Sequence, residues 1–90
     1  MKETSIKNDS ILIGSNIKRI REEKHIKPKD LVRLVNLEGA NLNVFSLSKI
    51  EADTQHIKAS QFRAIAKVLK VDYQELLKMP SEIEQLNNEG

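Results

Sequence analysis

The sequence contains no cysteine, only two prolines and three glycines, and only three aromatic residues among its 90 positions. Without cysteine, neither a disulfide nor a thiolate metal site can stabilise the fold. The aromatic residues are Phe45, Phe62 and Tyr73, so the core must consist mainly of leucine, isoleucine, valine and alanine, which suits packed helices. A chain of this length with 39% hydrophobic residues is the size of one domain with one core.

Long apolar runs are also missing. The apolar run nearest the amino terminus covers residues 11–13, far short of the roughly 20 residues of a membrane span or the roughly 7–15 of a signal-peptide core. We therefore expect a cytoplasmic protein that makes no contact with a membrane.

The positive and negative charges nearly balance, at +2, but they are unevenly distributed. Residues 1–12 carry no net charge, residues 13–70 carry +6 and residues 71–90 carry −4. A basic body is expected of a polyanion binder, although solvated helix faces often give similar totals. We interpret residues 1–12 as a flexible arm, 13–78 as the folded domain, and 79–90 as an acidic tail that is either disordered or a helix needing a partner.

Apolar residues recur at helical spacing in five segments, which predicts five helices. The first covers residues 13–24, the second begins at about residue 28, the third covers 44–51, the fourth begins at about 59 and the fifth follows residue 72. The residues predicted to face inward are Ile13, Ile17 and Ile20; Leu31, Leu34 and Val35; Leu47 and Ile50; Phe62, Ile65, Ala66 and Leu69; and Leu76 and Leu77.

The helix ends are marked by residues that favour helix starts and stops. Pro28 is tolerated at a first helical position because its missing N–H has no intrahelical partner there. Gly39 supplies the backbone freedom that ends the second helix, and Asn43 can cap the third. Asp72 and Glu75 have the spacing of a capping box for the fifth helix.

The third helix is short, with an apolar pair, Leu47 and Ile50, spaced i and i+3, whereas Ser46, Ser48 and Lys49 are small or polar. A short capped helix that follows another helix across a turn fits a DNA major groove about 12 Å wide. Local pattern alone therefore indicates a helix that could be presented to duplex DNA.

Five segments of the chain have a recognisable pattern. They read IKRIREEK at 17–24, DLV at 30–32, LSKIE at 47–51, AIAKVL at 64–69 and ELL at 75–77. Together they resemble the Cro and lambda-repressor-like family of helix-turn-helix regulators, over about residues 13–77. The resemblance implies an all-α, five-helix lambda-repressor-like domain in which helices two and three form the helix-turn-helix, and a repressor that binds double-stranded DNA as a homodimer.

The resemblance also implies three sets of residues. The candidate base-reading residues are Val44, Phe45, Ser46, Ser48 and Lys49. The candidate phosphate contacts are Pro28, Lys29, Asn43, Thr54, Gln55 and Lys58. Arg21 and Glu51 match the positions that form a partly buried ion pair between the first and third helices, which assigns them to structure.

The chain departs from the family pattern in three places. The segment 35–42 is about five residues longer than the usual helix-turn-helix spacing, which we interpret as an extra helical turn plus a bend ending at Gly39. Val44 and Phe45 stand where polar side chains are usual, so they could pack against thymine methyl groups or against a partner protein. Asp53 stands where glycine is common and puts a carboxylate near the expected phosphates, which lowers the expected affinity.

Two other classes of function remain as alternatives. A protein-interaction module, such as an antitoxin or adaptor, would use Val44 and Phe45 to dock a partner. An enzyme is disfavoured because no paired acid and base, nucleophile or phosphate-cradling loop can be assembled. His25 and His56 lack the spacing of metal ligands, so we expect no metal, no cofactor and no small-molecule ligand.

Overall fold

The computed structural model describes residues 12–78, and no strand occurs within this range. Its helices are α1 (Ile13–Glu23), α2 (Pro28–Leu37), α3 (Val44–Glu51), α4 (Ala59–Leu69) and α5 (Tyr73–Leu76). The prediction of an all-helical fold with five helices is confirmed. The predicted arm and acidic tail lie outside the described residues, except for Leu12. None of the helices described is long and apolar enough to cross a membrane.

One core receives side chains from all five helices. Helix α2 packs against α3 and α4, and α1 packs against α3, α4 and α5. The fully buried apolar side chains are Ile17, Leu31, Val35, Leu47, Ile50, Ile65, Leu69 and Leu76. The 3.6-residue periodicity of the sequence therefore identifies most of the core.

Two residues predicted to face inward do not belong to this core. Leu34 is only partly buried, and on the same helix Val32 packs against the core in its place, because the buried face is centred on Leu31 and Val35. Leu77 is exposed, since α5 ends at Leu76 and the chain then turns away from the helical direction.

The connection between α2 and α3 runs over residues 38–43. Gly39, with φ of +98°, lies just past the end of α2, as the sequence predicted, but the bend continues beyond it rather than ending there. Asn36 then holds the rest of the connection, because its side-chain amide donates to the carbonyl of Leu42 and its oxygen accepts from the N–H of Leu42, both at 2.8 Å. Leu42 is thereby held in the core, which fixes where α3 begins.

The predicted capping box at α5 is wrong. Asp72 makes no side-chain capping bond, and the carboxylate of Glu75 binds Lys78 Nζ at 3.2 Å instead. A capping contact occurs at α4, where Gln61 Oε1 accepts from the N–H of Lys58 at 2.9 Å. The buried Gln61 also donates to the carbonyl of Asn41, also at 2.9 Å, so the start of α4 is tied to the α2–α3 connection.

A buried polar side chain joins the two ends of the described chain. The Asn16 amide nitrogen donates to the carbonyls of Leu76 and Lys78, both at 2.9 Å. Because a buried amide without partners is costly, these bonds fix α5 and the turn after it against α1.

Candidate nucleic-acid interface

Helix α3 begins at a side-chain cap. Asn43 has an extended backbone, and its Oδ1 accepts from the N–H of Ser46 at 2.7 Å. Such a cap satisfies an N–H that has no partner within the helix, and it typically stabilises a helix by about 1 kcal/mol. The cap that the sequence predicted at Asn43 is therefore confirmed, and the phosphate contact of this residue stays a prediction.

The two sides of α3 differ in what they contact. Leu47 and Ile50 are buried in the core, so the opposite side of the helix faces solvent. We call the five predicted base-reading residues on α3 the reading face: Val44, Phe45, Ser46, Ser48 and Lys49. All of them are exposed except Ser46, which is partly buried beside the cap. The structure thus brings the predicted base readers together on one accessible surface.

Phe45 and Lys49 are in contact on this surface. The Phe45 side chain is 69% exposed, and Lys49 Nζ lies 4.4 Å from the centroid of its ring. This is a cation–π contact between residues one helical turn apart. The spacing of an aromatic residue and a lysine at i and i+4 could have indicated this contact from the sequence, but it was not among the predictions.

A buried ion pair holds the carboxyl end of α3. Arg21 Nε and Nη2 donate to the two carboxylate oxygens of Glu51, at 2.7 and 3.0 Å, and both residues are less than a tenth exposed. Arg21 Nη1 also donates to the carbonyl of Ile26 at 2.8 Å. The hydrogen bond to Glu51 raises the pKa of Arg21, against the opposing effect of burial. The ion pair that the sequence predicted between α1 and α3 is present.

Asp53 holds the same end of α3 to the start of α1. Its carboxylate accepts from the N–H groups of Gly14 and Ser15, at 2.9 and 3.2 Å, and from the Ser15 hydroxyl at 2.7 Å. The carboxylate therefore caps α1 from 38 to 39 residues away along the chain. The sequence treated Asp53 only as a charge opposing phosphate, and its capping role was missed because nothing local indicates it.

Gly14 makes this approach possible. A Cβ at this position would overlap the carbonyl oxygen of Ile50 and lie 2.8 Å from the Asp53 carboxylate. Asp53 itself has φ of +60°, a left-handed conformation that glycine and, less readily, aspartate adopt. Glycine at 14 and a left-handed residue at 53 together allow α1 and the end of α3 to meet.

The predicted phosphate contacts lie on both sides of α3. Pro28 occupies the first turn of α2, which has no side-chain cap among the described residues, and Lys29 beside it is exposed. Uncapped N–H groups at a helix start are suited to phosphate. On the other side, Gln55 and Lys58 are exposed. Thr54 differs, because its hydroxyl and its N–H both donate to the Lys49 carbonyl, at 3.1 and 3.0 Å.

Helices α2 and α3 thus form a helix-turn-helix, an arrangement that presents its second helix to duplex DNA. A family model described as a Cro/C1-type HTH DNA-binding domain matches residues 16–82. The chain therefore belongs to this family, and the predicted resemblance is confirmed. No curated protein and no solved structure matches the chain.

Proposed function

We propose that this protein is a transcriptional repressor that binds a specific double-stranded DNA sequence as a homodimer. The observation that carries the proposal is α3 itself, which is capped at Asn43, anchored at Glu51 and exposed along its reading face. Two such helices, one from each subunit, enter successive major grooves about 34 Å apart. The mechanism is binding without catalysis or a cofactor, and it operates in the cytoplasm together with the regulated DNA.

In this proposal, phosphate contacts position the domain and base contacts determine its sequence preference. The start of α2, with Pro28 and Lys29, and the segment with Gln55 and Lys58 contact phosphates and set the position of the domain. The reading face then lies against base edges and supplies the sequence preference.

The test is a selection of bound fragments from random duplex DNA, followed by affinity measurements across salt concentrations. When binding involves phosphates, the logarithm of the affinity falls linearly with the logarithm of the salt concentration, because counterions are released from the DNA. We expect Lys49→Ala to weaken binding to the selected duplex, and Lys67→Ala, a lysine on α4, to leave it unchanged. If Lys49→Ala alters neither the affinity nor its salt dependence, the assignment of α3 to DNA is wrong.

A second candidate is a protein-interaction module of the same fold. The exposure of Phe45 and Val44 favours it, since large apolar side chains at a surface often mark contacts with other proteins. In this case a partner complex would depend on Phe45 and only weakly on salt, and Phe45→Ala would abolish it without affecting DNA binding. The salt series thus distinguishes the two candidates.

A further inference from the structure

The side chains of Phe45 and Lys49 are not part of the buried core. Phe45 is more exposed than Val44 on the same helix, at 69% against 41%, and Lys49 is exposed beside it. Helix α3 is attached to the core through Leu47 and Ile50, which point the other way. An exposed phenyl ring here gains little from folding, and it is accessible to whatever the reading face binds.

The two side chains form one unit. The ammonium of Lys49 lies 4.4 Å from the centroid of the Phe45 ring, so the contact limits the positions that the flexible lysine adopts before any ligand binds. Successive base pairs are separated by about 3.4 Å along the duplex. A ring placed against one base pair therefore brings the ammonium within reach of the next one.

The chemistry of the unit selects its target. In the major groove, an apolar ring is complementary to the C5-methyl group of a pyrimidine. An ammonium group has only donors, so it is complementary to guanine, which presents two acceptors, O6 and N7. Adenine and cytosine each present an amino group in the major groove, which opposes an ammonium.

We propose that Phe45 and Lys49 together recognise a 5-methylpyrimidine next to a guanine, which is a thymine–guanine step or a methylated cytosine–guanine step. The proposal rests on the proposed function and names the base step that α3 reads. Binding then depends on a single methyl group, so cytosine methylation at such a step strengthens binding.

The first experiment replaces thymines of the selected duplex by deoxyuridine, one at a time, which removes only the C5-methyl group. We expect one replacement to weaken binding about fourfold, the effect of returning one methyl-sized apolar group to water. Phe45→Ala should bind the thymine and deoxyuridine duplexes equally. Leu37→Ala is the matched control, because Leu37 is exposed to a similar extent but lies on α2, and it should keep the dependence.

The second experiment exchanges the methylated base. Cytosine in place of the critical thymine should weaken binding, and 5-methylcytosine at the same position should restore it. At the neighbouring position, 7-deazaguanine removes the N7 acceptor and should weaken binding by about fivefold. The affinity of the Lys49→Ala variant should be the same for guanine and 7-deazaguanine.

The outcomes separate this inference from the proposed function. If the selection enriches a sequence but no thymine in it responds to deoxyuridine, the Phe45 and Lys49 assignment is overturned and sequence-specific binding stands. The assignment also fails if the critical thymine has no guanine beside it. A selection that enriches no sequence overturns both proposals.

Discussion

At the scale of single residues, loss of the ion pair between Arg21 and Glu51 should lower the free energy of unfolding most. Both charges are buried, and each is satisfied mainly by the other. Since the pKa of Arg21 is raised in the folded state, the stabilising effect of this shift is fully present at neutral pH and is lost as the pH rises into the strongly alkaline range.

We expect Glu51→Ala to lower the free energy of unfolding by roughly 3–5 kcal/mol, because it leaves a buried guanidinium without its partner. Urea unfolding followed by circular dichroism measures this change. The double variant with Arg21→Met and Glu51→Leu is the control, and it should be much less destabilised since no charge remains buried. A loss below about 1 kcal/mol for Glu51→Ala would contradict the role of the pair.

Gly14 is the second residue on which the fold depends. We expect Gly14→Ala to lower the free energy of unfolding by about 3 kcal/mol, since the new methyl group overlaps the Ile50 carbonyl oxygen. Gly39→Ala is the matched comparison, because no atom lies within 4 Å of its added Cβ and only its positive φ is unfavourable. It should lose about 1 kcal/mol in the same urea experiment. Equal losses for the two variants would show that close packing at Gly14 is unimportant.

At the scale of elements, α1 depends on a cap supplied by a distant loop. We expect Asp53→Ala to lower the free energy of unfolding by roughly 1–2 kcal/mol, because α1 loses its cap and alanine is disfavoured at the positive φ. Asp53→Asn retains an acceptor oxygen and tolerates this φ, so it should lose less than half as much. Thermal and urea unfolding of both variants measure the difference, and equal stability of Asp53→Ala and the parent protein would rule out the distal cap.

How much of the fold could be predicted differs between kinds of contact. The start of α3 and its buried residues follow from signals within one helix, namely a capping asparagine and apolar spacing. Contacts such as that of Asp53 with Gly14 join residues far apart in sequence, so no local pattern indicates them. The capping box at Asp72 failed for a different reason: the carboxylate of Glu75 pairs with Lys78, three residues further along the chain, rather than with the start of α5.

The candidate site was predictable to a similar degree. The resemblance placed Val44, Phe45 and Lys49 on one surface, as the structure has them. It did not show that the Thr54 hydroxyl donates within the fold, since that depends on the position of the Lys49 carbonyl. A residue at a family position therefore has to be checked for whether its polar atoms are already used.

At the scale of the whole molecule, a single core shared by five helices predicts cooperative unfolding. Tyr73 is the only tyrosine and the chain has no tryptophan, so its fluorescence reports on α5, where its ring centroid lies 5.2 Å from that of Phe62. We expect the urea midpoints from Tyr73 fluorescence and from far-ultraviolet circular dichroism to coincide. A fluorescence midpoint at lower urea would mean that α5 detaches before the rest unfolds.

The division of α3 into a buried and an exposed side determines which of its positions can be substituted. Leu47, Ile50 and Glu51 carry the attachment, whereas Val44, Phe45, Ser48 and Lys49 carry none of the core. Mutations at these four positions can accumulate with little penalty in folding. The domain is therefore a scaffold on which natural variation, or a designed library, can retarget binding while the helix stays in place.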